Sequence, residues 1–189
     1  MNRGYNERKA VQAAAIFTKL EEGGVIDKYK LCKLMYYLER QTILKTGQPL
    51  FNDELFSAPL GPVASEVNHG IDIIVPPRKS RFIVFDDEYP FWKEHFSREG
   101  KSNICMTADP GDDELSEADI DLIQEISKMF ENFDYPQLHD FFHSLPEHTN
   151  TRSNIPISFD KILRAEGFPE EEIRELQEEY QYYLDLIST

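Results

Sequence analysis

Between Lys30 and Asn68 the chain reads KLCKLMYYLERQTILKTGQPLFNDELFSAPLGPVASEVN, and this stretch constrains the fold more than any other. Leu31, Leu34, Met35 and Leu38 recur at i, i+3, i+4 and i+7, which makes one apolar stripe on a helix. Lys30, Lys33, Glu39 and Arg40 fall on the other face, so the spacing predicts an amphipathic helix with a polar side. Asp27 stands where an N-cap belongs. Gly47 can close the helix in the left-handed conformation, and Pro49 cannot continue it. Gly61-Pro62 reads as a turn with proline at the first position of a second helix, which Gly70 ends.

The rest of the chain is mostly helical by the same signals. Glu7–Leu20 forms a first helix stopped by Gly23-Gly24. Leu115-Ser116-Glu117-Ala118-Asp119-Ile120 carries an N-cap serine, an acid three residues on and a hydrophobic staple, and the following apolar stripe runs to about Glu131. Pro136 opens a short helix through His143, Ser158 caps another to Ala165, and Pro169 begins a last helix striped by Ile173, Leu176, Tyr180, Leu184 and Ile187. Phe82–Phe85 reads as a short strand, with Asn103–Thr107 as its partner. The expected fold is therefore mainly α: a compact helical domain over residues 1–150, one small β element of two short strands, and a C-terminal acidic helical extension over 151–189.

Charge is divided unevenly along the 189 residues, whose net charge is −15. Residues 1–108 hold 15 Lys and Arg against 14 Asp and Glu, whereas residues 109–189 hold 5 against 21. Such an acidic half repels nucleic acid, whose affinity comes from neutralised phosphates, and attracts a basic partner. A solvated face kept soluble by its charge gives the same pattern. No apolar run approaches the length of a membrane span and no basic-then-apolar leader opens the chain, so a cytoplasmic location is expected. Cys32 and Cys105 are isolated thiols with neither a C-x-x-C pair nor a disulfide framework.

Catalytic signatures are sparse. His139 and His143 lie one helical turn apart with Glu147 and His148 beyond, which makes a divalent-metal enzyme the sharpest catalytic reading. Asp140 stands where H-E-x-x-H requires Glu, however, so no metal or other cofactor is expected. No G-x-S-x-G elbow, P-loop or G-x-G-x-x-G is present. Tyr36, Tyr37, Phe51 and Phe56 are either interface anchors or filling for a core beneath the Gly-Pro turn.

The run Lys33-Leu34-Met35-Tyr36-Tyr37, then Gly47, Pro49 and Leu50, Asp53 and Phe56, Ala58 and Gly61-Pro62-Val63, resembles the Panacea domain of bacterial and phage antitoxins. A weaker likeness extends over Leu115–His143. The chain departs from the pattern after His143: it runs Leu145-Pro146-Glu147-His148 where the family often has a tryptophan, and its single Trp92 lies elsewhere. The resemblance implies a non-enzymatic antitoxin that binds a cognate toxin directly, and the acidic half implies that this toxin is basic. The same resemblance admits an adaptor that delivers a bound partner to a AAA+ protease. Tyr36, Tyr37, Phe56, Gly61 and Pro62, with Glu171, Glu175 and Glu178 on the acidic last helix, are the expected partner-binding residues. Direct nucleic-acid and membrane contacts are not expected.

Overall fold

Asp27 accepts hydrogen bonds from the amides of Tyr29 and Lys30 and so starts helix α2, Lys28–Thr46, while Gly47 ends it at φ 71°. A computed structural model describes residues 4–77 and 88–187 of the chain. Around α2 stand α1 (Glu7–Leu20), α3 (Ser65–Ile74), α4 (Pro90–His95), α5 (Glu117–Met129), α6 (Tyr135–His143), α7 (Phe159–Ala165) and α8 (Glu170–Ile187). Strands β1 (Val25–Asp27), β4 (Phe96–Glu99) and β5 (Asn103–Met106) form one antiparallel sheet in the order β1-β5-β4. Strands β2 (Leu55–Ala58), β3 (Gly61–Ala64) and β6 (Ile155–Ile157) form a second, ordered β3-β2-β6. The fold is mainly α with a minor β part, but that part comprises two three-stranded sheets rather than two strands. Asn103–Met106 does pair, with β1 and β4; Phe82–Phe85 lies outside the described residues.

The predicted polar face of α2 is not a surface. Lys30, Lys33, Glu39 and Arg40 are all buried along with the apolar stripe, because α1, β3, α5, α6 and α7 close on the helix from several sides. Each buried charge consequently has a local task, since an unsatisfied one would cost several kcal/mol. Glu39 accepts the amides of Leu50 at 2.6 Å and Phe51 at 2.9 Å, which folds the chain after Gly47 back along the helix. Its burial pushes the carboxyl up to about 8.

Gly61-Pro62 does not open a helix. These residues begin β3, paired across a tight turn with Ala58 and Ser57, and proline is tolerated because β3 is an edge strand that needs no donor there. The second helix begins at Ser65 instead, with its first amides held by Asp53 from the preceding loop: Glu66 N at 2.8 Å and Val67 N at 2.9 Å. Gly70 does not end that helix, which continues to Ile74. Its hydrogen makes room for the fully buried Trp92, as a Cβ there would sit 2.5 Å from the indole Cδ1.

Candidate functional site

Two buried polar residues one turn apart on α2, Tyr36 and Arg40, face the chain segments that follow α6. Arg40 donates to Glu147 through Nε at 2.7 Å and Nη2 at 3.2 Å, and Tyr36 donates its hydroxyl to the same carboxylate at 2.8 Å. Arg40 also pairs with Glu166, immediately after α7. Burial and the adjacent carboxylate both raise the Tyr36 phenol far above its ordinary range. This network locks α2 to both the α6 segment and the C-terminal helices.

One turn earlier, Lys33 is 1% exposed and donates to the Pro62 carbonyl at 2.8 Å, with its ammonium over the rings of Tyr29 at 5.2 Å and Phe142 at 5.9 Å. Desolvation lowers its pKa to about 8. Gly61 adopts φ +92°, and a Cβ there would lie 3.1 Å from Lys33 Nζ and 3.3 Å from the His143 ring. The Gly-Pro pair therefore serves close approach of β3 to α2 and α6.

The predicted partner-binding residues do not gather on one surface. Tyr36 is fully buried and Pro62 and Gly61 are buried, while Tyr37 is half-buried edge-on to Phe130 and Phe141. These four support the α2–β3–α6 junction from within. Phe56 is half-buried on β2, and Glu171, Glu175 and Glu178 are exposed on α8. Phe51 belongs to the core.

What the junction presents outward is a groove of about 310 Å³ lined by Tyr29, Cys32, Lys33, Leu60, Val63 and Tyr135. The rings of Tyr29 and Tyr135 lie 4.6 Å apart, and Leu60 and Tyr135 are 58% and 52% exposed. Lys28, at its edge, is paired with Asp72, so the open surface is chiefly aromatic and aliphatic. Burial pushes the Cys32 thiol up to about 12, which leaves it protonated and unreactive. Sequence reasoning did not single out the groove residues Tyr29, Leu60 and Tyr135. The available signal was Leu60, an aliphatic residue set at the tip of a Pro-Leu-Gly turn.

A second apolar cavity of about 350 Å³ lies between β2, β6 and α8, lined by Ile43, Pro49, Phe56, Pro156, Phe159 and Tyr180. Tyr180 stacks on Phe159 with ring centroids 5.4 Å apart.

His139 and His143, the pair behind the alternative metal-enzyme reading, are close but do not converge. His139 and His143 stack with centroids 4.0 Å apart and planes 21° apart, so their in-plane lone pairs run side by side rather than toward one ion. His143 shares its Nδ1 with Asn150 Oδ1 at 3.0 Å, and Glu147 is engaged by Arg40 and Tyr36. Among the described residues no group of three or more His, Cys, Asp or Glu side chains is placed to hold a metal ion. Among them, too, no helix is long and apolar enough to cross a membrane.

Residues 31–148 match the family model for the SocA-like antitoxin, Panacea domain. No curated protein and no solved structure matches the chain. The matched span runs from the first turns of α2 through Glu147, so it contains both ends of the buried Arg40–Glu147 network and the turn that shapes the groove. With well over half of its length accounted for in this way, the chain belongs to the family of SocA-like antitoxins that carry a Panacea domain.

Proposed function

We propose that this protein neutralises a cognate toxin by binding it directly, with the α2–β3–α6 groove as the central contact. The observation that carries the reading is the exposed aromatic and aliphatic surface of Tyr29, Leu60 and Tyr135 on a junction held rigid by Lys33, Arg40 and Glu147. Rigid aromatic anchors on a preformed scaffold are what a protein interface needs, because little conformational entropy is lost when they are covered. The buried Lys33, Tyr36, Arg40 and Glu147 of the site are engaged in hydrogen bonds that hold structure, and the antitoxin family points to a non-enzymatic role. The acidic surface of α8 favours a basic toxin, and its distance-dependent attraction speeds encounter more than it strengthens the final complex.

The test is genetic. Each short reading frame found beside this gene is expressed from an inducible promoter in a bacterial host, alone and together with this protein. Growth arrest by the first and recovery with the second is the expected result. Arrest that co-expression leaves unrelieved would overturn the proposal.

A further inference from the structure

The two apolar cavities border the same face of the β3-β2-β6 sheet. Phe56 on β2 stands directly opposite Val63 on β3 and opposite Pro156 on β6. Residues paired across antiparallel strands project to the same face, so Val63, Phe56 and Pro156 make one row across the sheet. Val63 lines the groove beside Tyr29, Leu60 and Tyr135, whereas Phe56 and Pro156 line the cavity beside Tyr180. Val63 and Phe56 are half-buried and Pro156 is exposed, which keeps the row open to solvent. The row alone spans two interstrand spacings, about 10 Å, before either cavity is counted.

From this arrangement we infer that the grooves are the two ends of one recognition band, and that its occupant is an amphipathic, basic segment of the toxin. The inference rests on the function proposed above and assigns its surface and the chemistry of its partner. The band runs across the strands, not along an edge, so side chains rather than added strand hydrogen bonds would make the contact. Its far end carries the exposed Glu54, which lines the Tyr180 cavity, and borders the acidic helix α8, where Glu171, Glu175 and Glu178 are exposed on the side away from Tyr180 and add to the negative field around it. No described basic side chain pairs with these four carboxylates. A ligand with apolar residues along the band and Lys or Arg toward α8 complements both features. A second copy of this chain does not, since each copy carries −15.

The experiment measures binding of the purified toxin from the adjacent reading frame to the full-length protein by titration calorimetry, beside sedimentation and thermal melting of each variant. Leu60→Ser with Tyr135→Ser alters two side chains more than half exposed, so the melting temperature should hold while Kd rises at least about thirtyfold. Pro156→Lys places a cation in the exposed middle of the band and should weaken binding at least about tenfold. Tyr182→Ser with Leu186→Ser removes exposed apolar groups from α8 outside both cavities and should leave Kd within about threefold. Wild-type affinity in the Leu60/Tyr135 variant would overturn the band while leaving direct neutralisation standing. Wild-type affinity in the Pro156→Lys variant would overturn its continuity and leave a single groove. Loss confined to the Tyr182/Leu186 variant would move the surface to α8 and overturn the inference. A wild-type dimer that the Leu60/Tyr135 variant dissolves would make the occupant a second copy and overturn it also. Absence of binding by the wild-type protein would overturn the proposed function and this inference with it.

Discussion

Removing the Glu147 carboxylate should be among the most damaging single changes available to this fold. Glu147 is fully buried, Arg40 is 3% exposed, and together with Tyr36 they share three hydrogen bonds of 2.7 to 3.2 Å. In Glu147→Ala the guanidinium keeps only Glu166, whose side chain is 40% exposed, and the Tyr36 hydroxyl loses its acceptor. Breaking one side of a buried ion pair costs about 3 to 5 kcal/mol, and the orphaned phenol falls within that range because the groups form one network. That is a large part of the roughly 5 to 15 kcal/mol available to a protein of this kind. Glu147→Gln keeps the size and one acceptor and should cost about 1 to 2 kcal/mol. Arg40→Met combined with Glu147→Leu should recover much of the loss, since an apolar pair needs no counter-charge. Urea unfolding followed by far-ultraviolet circular dichroism measures all three. A loss below about 1 kcal/mol in Glu147→Ala would refute the claim that this network ties α2 to the C-terminal helices.

Other expectations follow from single residues. Gly61→Val forces a β-branched residue to φ +92° against Lys33 and His143 and should destabilise by roughly 1 to 3 kcal/mol in the same assay; an unchanged midpoint would contradict the close packing described. Lys33 releases its proton near pH 8 when folded but, at its ordinary value of 10.5, keeps it in the unfolded chain. The unfolded state then binds more protons between those values, so wild type should gain up to about 3 kcal/mol relative to Lys33→Met as pH rises from 8 to 10.5. A difference independent of pH, read from urea midpoints across that window, would show that the amine is not desolvated. Replacing Glu170, Glu171, Glu172, Glu175, Glu178 and Glu179 with Gln should slow toxin association at low salt to the high-salt rate while changing dissociation little. A wild-type association rate would make α8 a solubility device.

Local signals in the sequence were reliable where the structure uses local chemistry. Asp27 and Gly47 bound α2, and Ser116 with Asp119 forms the capping box that starts α5, because caps depend on residues within a turn of each other. Signals failed where distant chain decided the outcome. Val25 pairs with Cys105 and Ser57 with Ile155, so β1 and β6 are short segments made into strands by partners far away in sequence. Pro62 satisfies the rule for a helix start and the rule for an edge strand equally, and only the pairing with Ser57 decides between them. The α2 pattern looked amphipathic because sequence periodicity registers polarity, not burial, and cannot show that Glu147 waits for Arg40 or that Leu50 and Phe51 bring their amides to Glu39. The site suffered most. Its family residues were visible, but Tyr36 and Pro62 are buried, while Leu60 and Tyr135, which line the exposed groove, stand at a turn tip and a helix start with no periodic signature.

Direct neutralisation is tested most simply with purified components. The toxin's own activity is assayed as this protein is added, with neither ATP nor any protease in the mixture. Inhibition that is complete near one equivalent of this protein per toxin is the predicted result. Inhibition that requires ATP and a AAA+ protease, with none in their absence, would contradict it and assign the protein to proteolytic delivery instead.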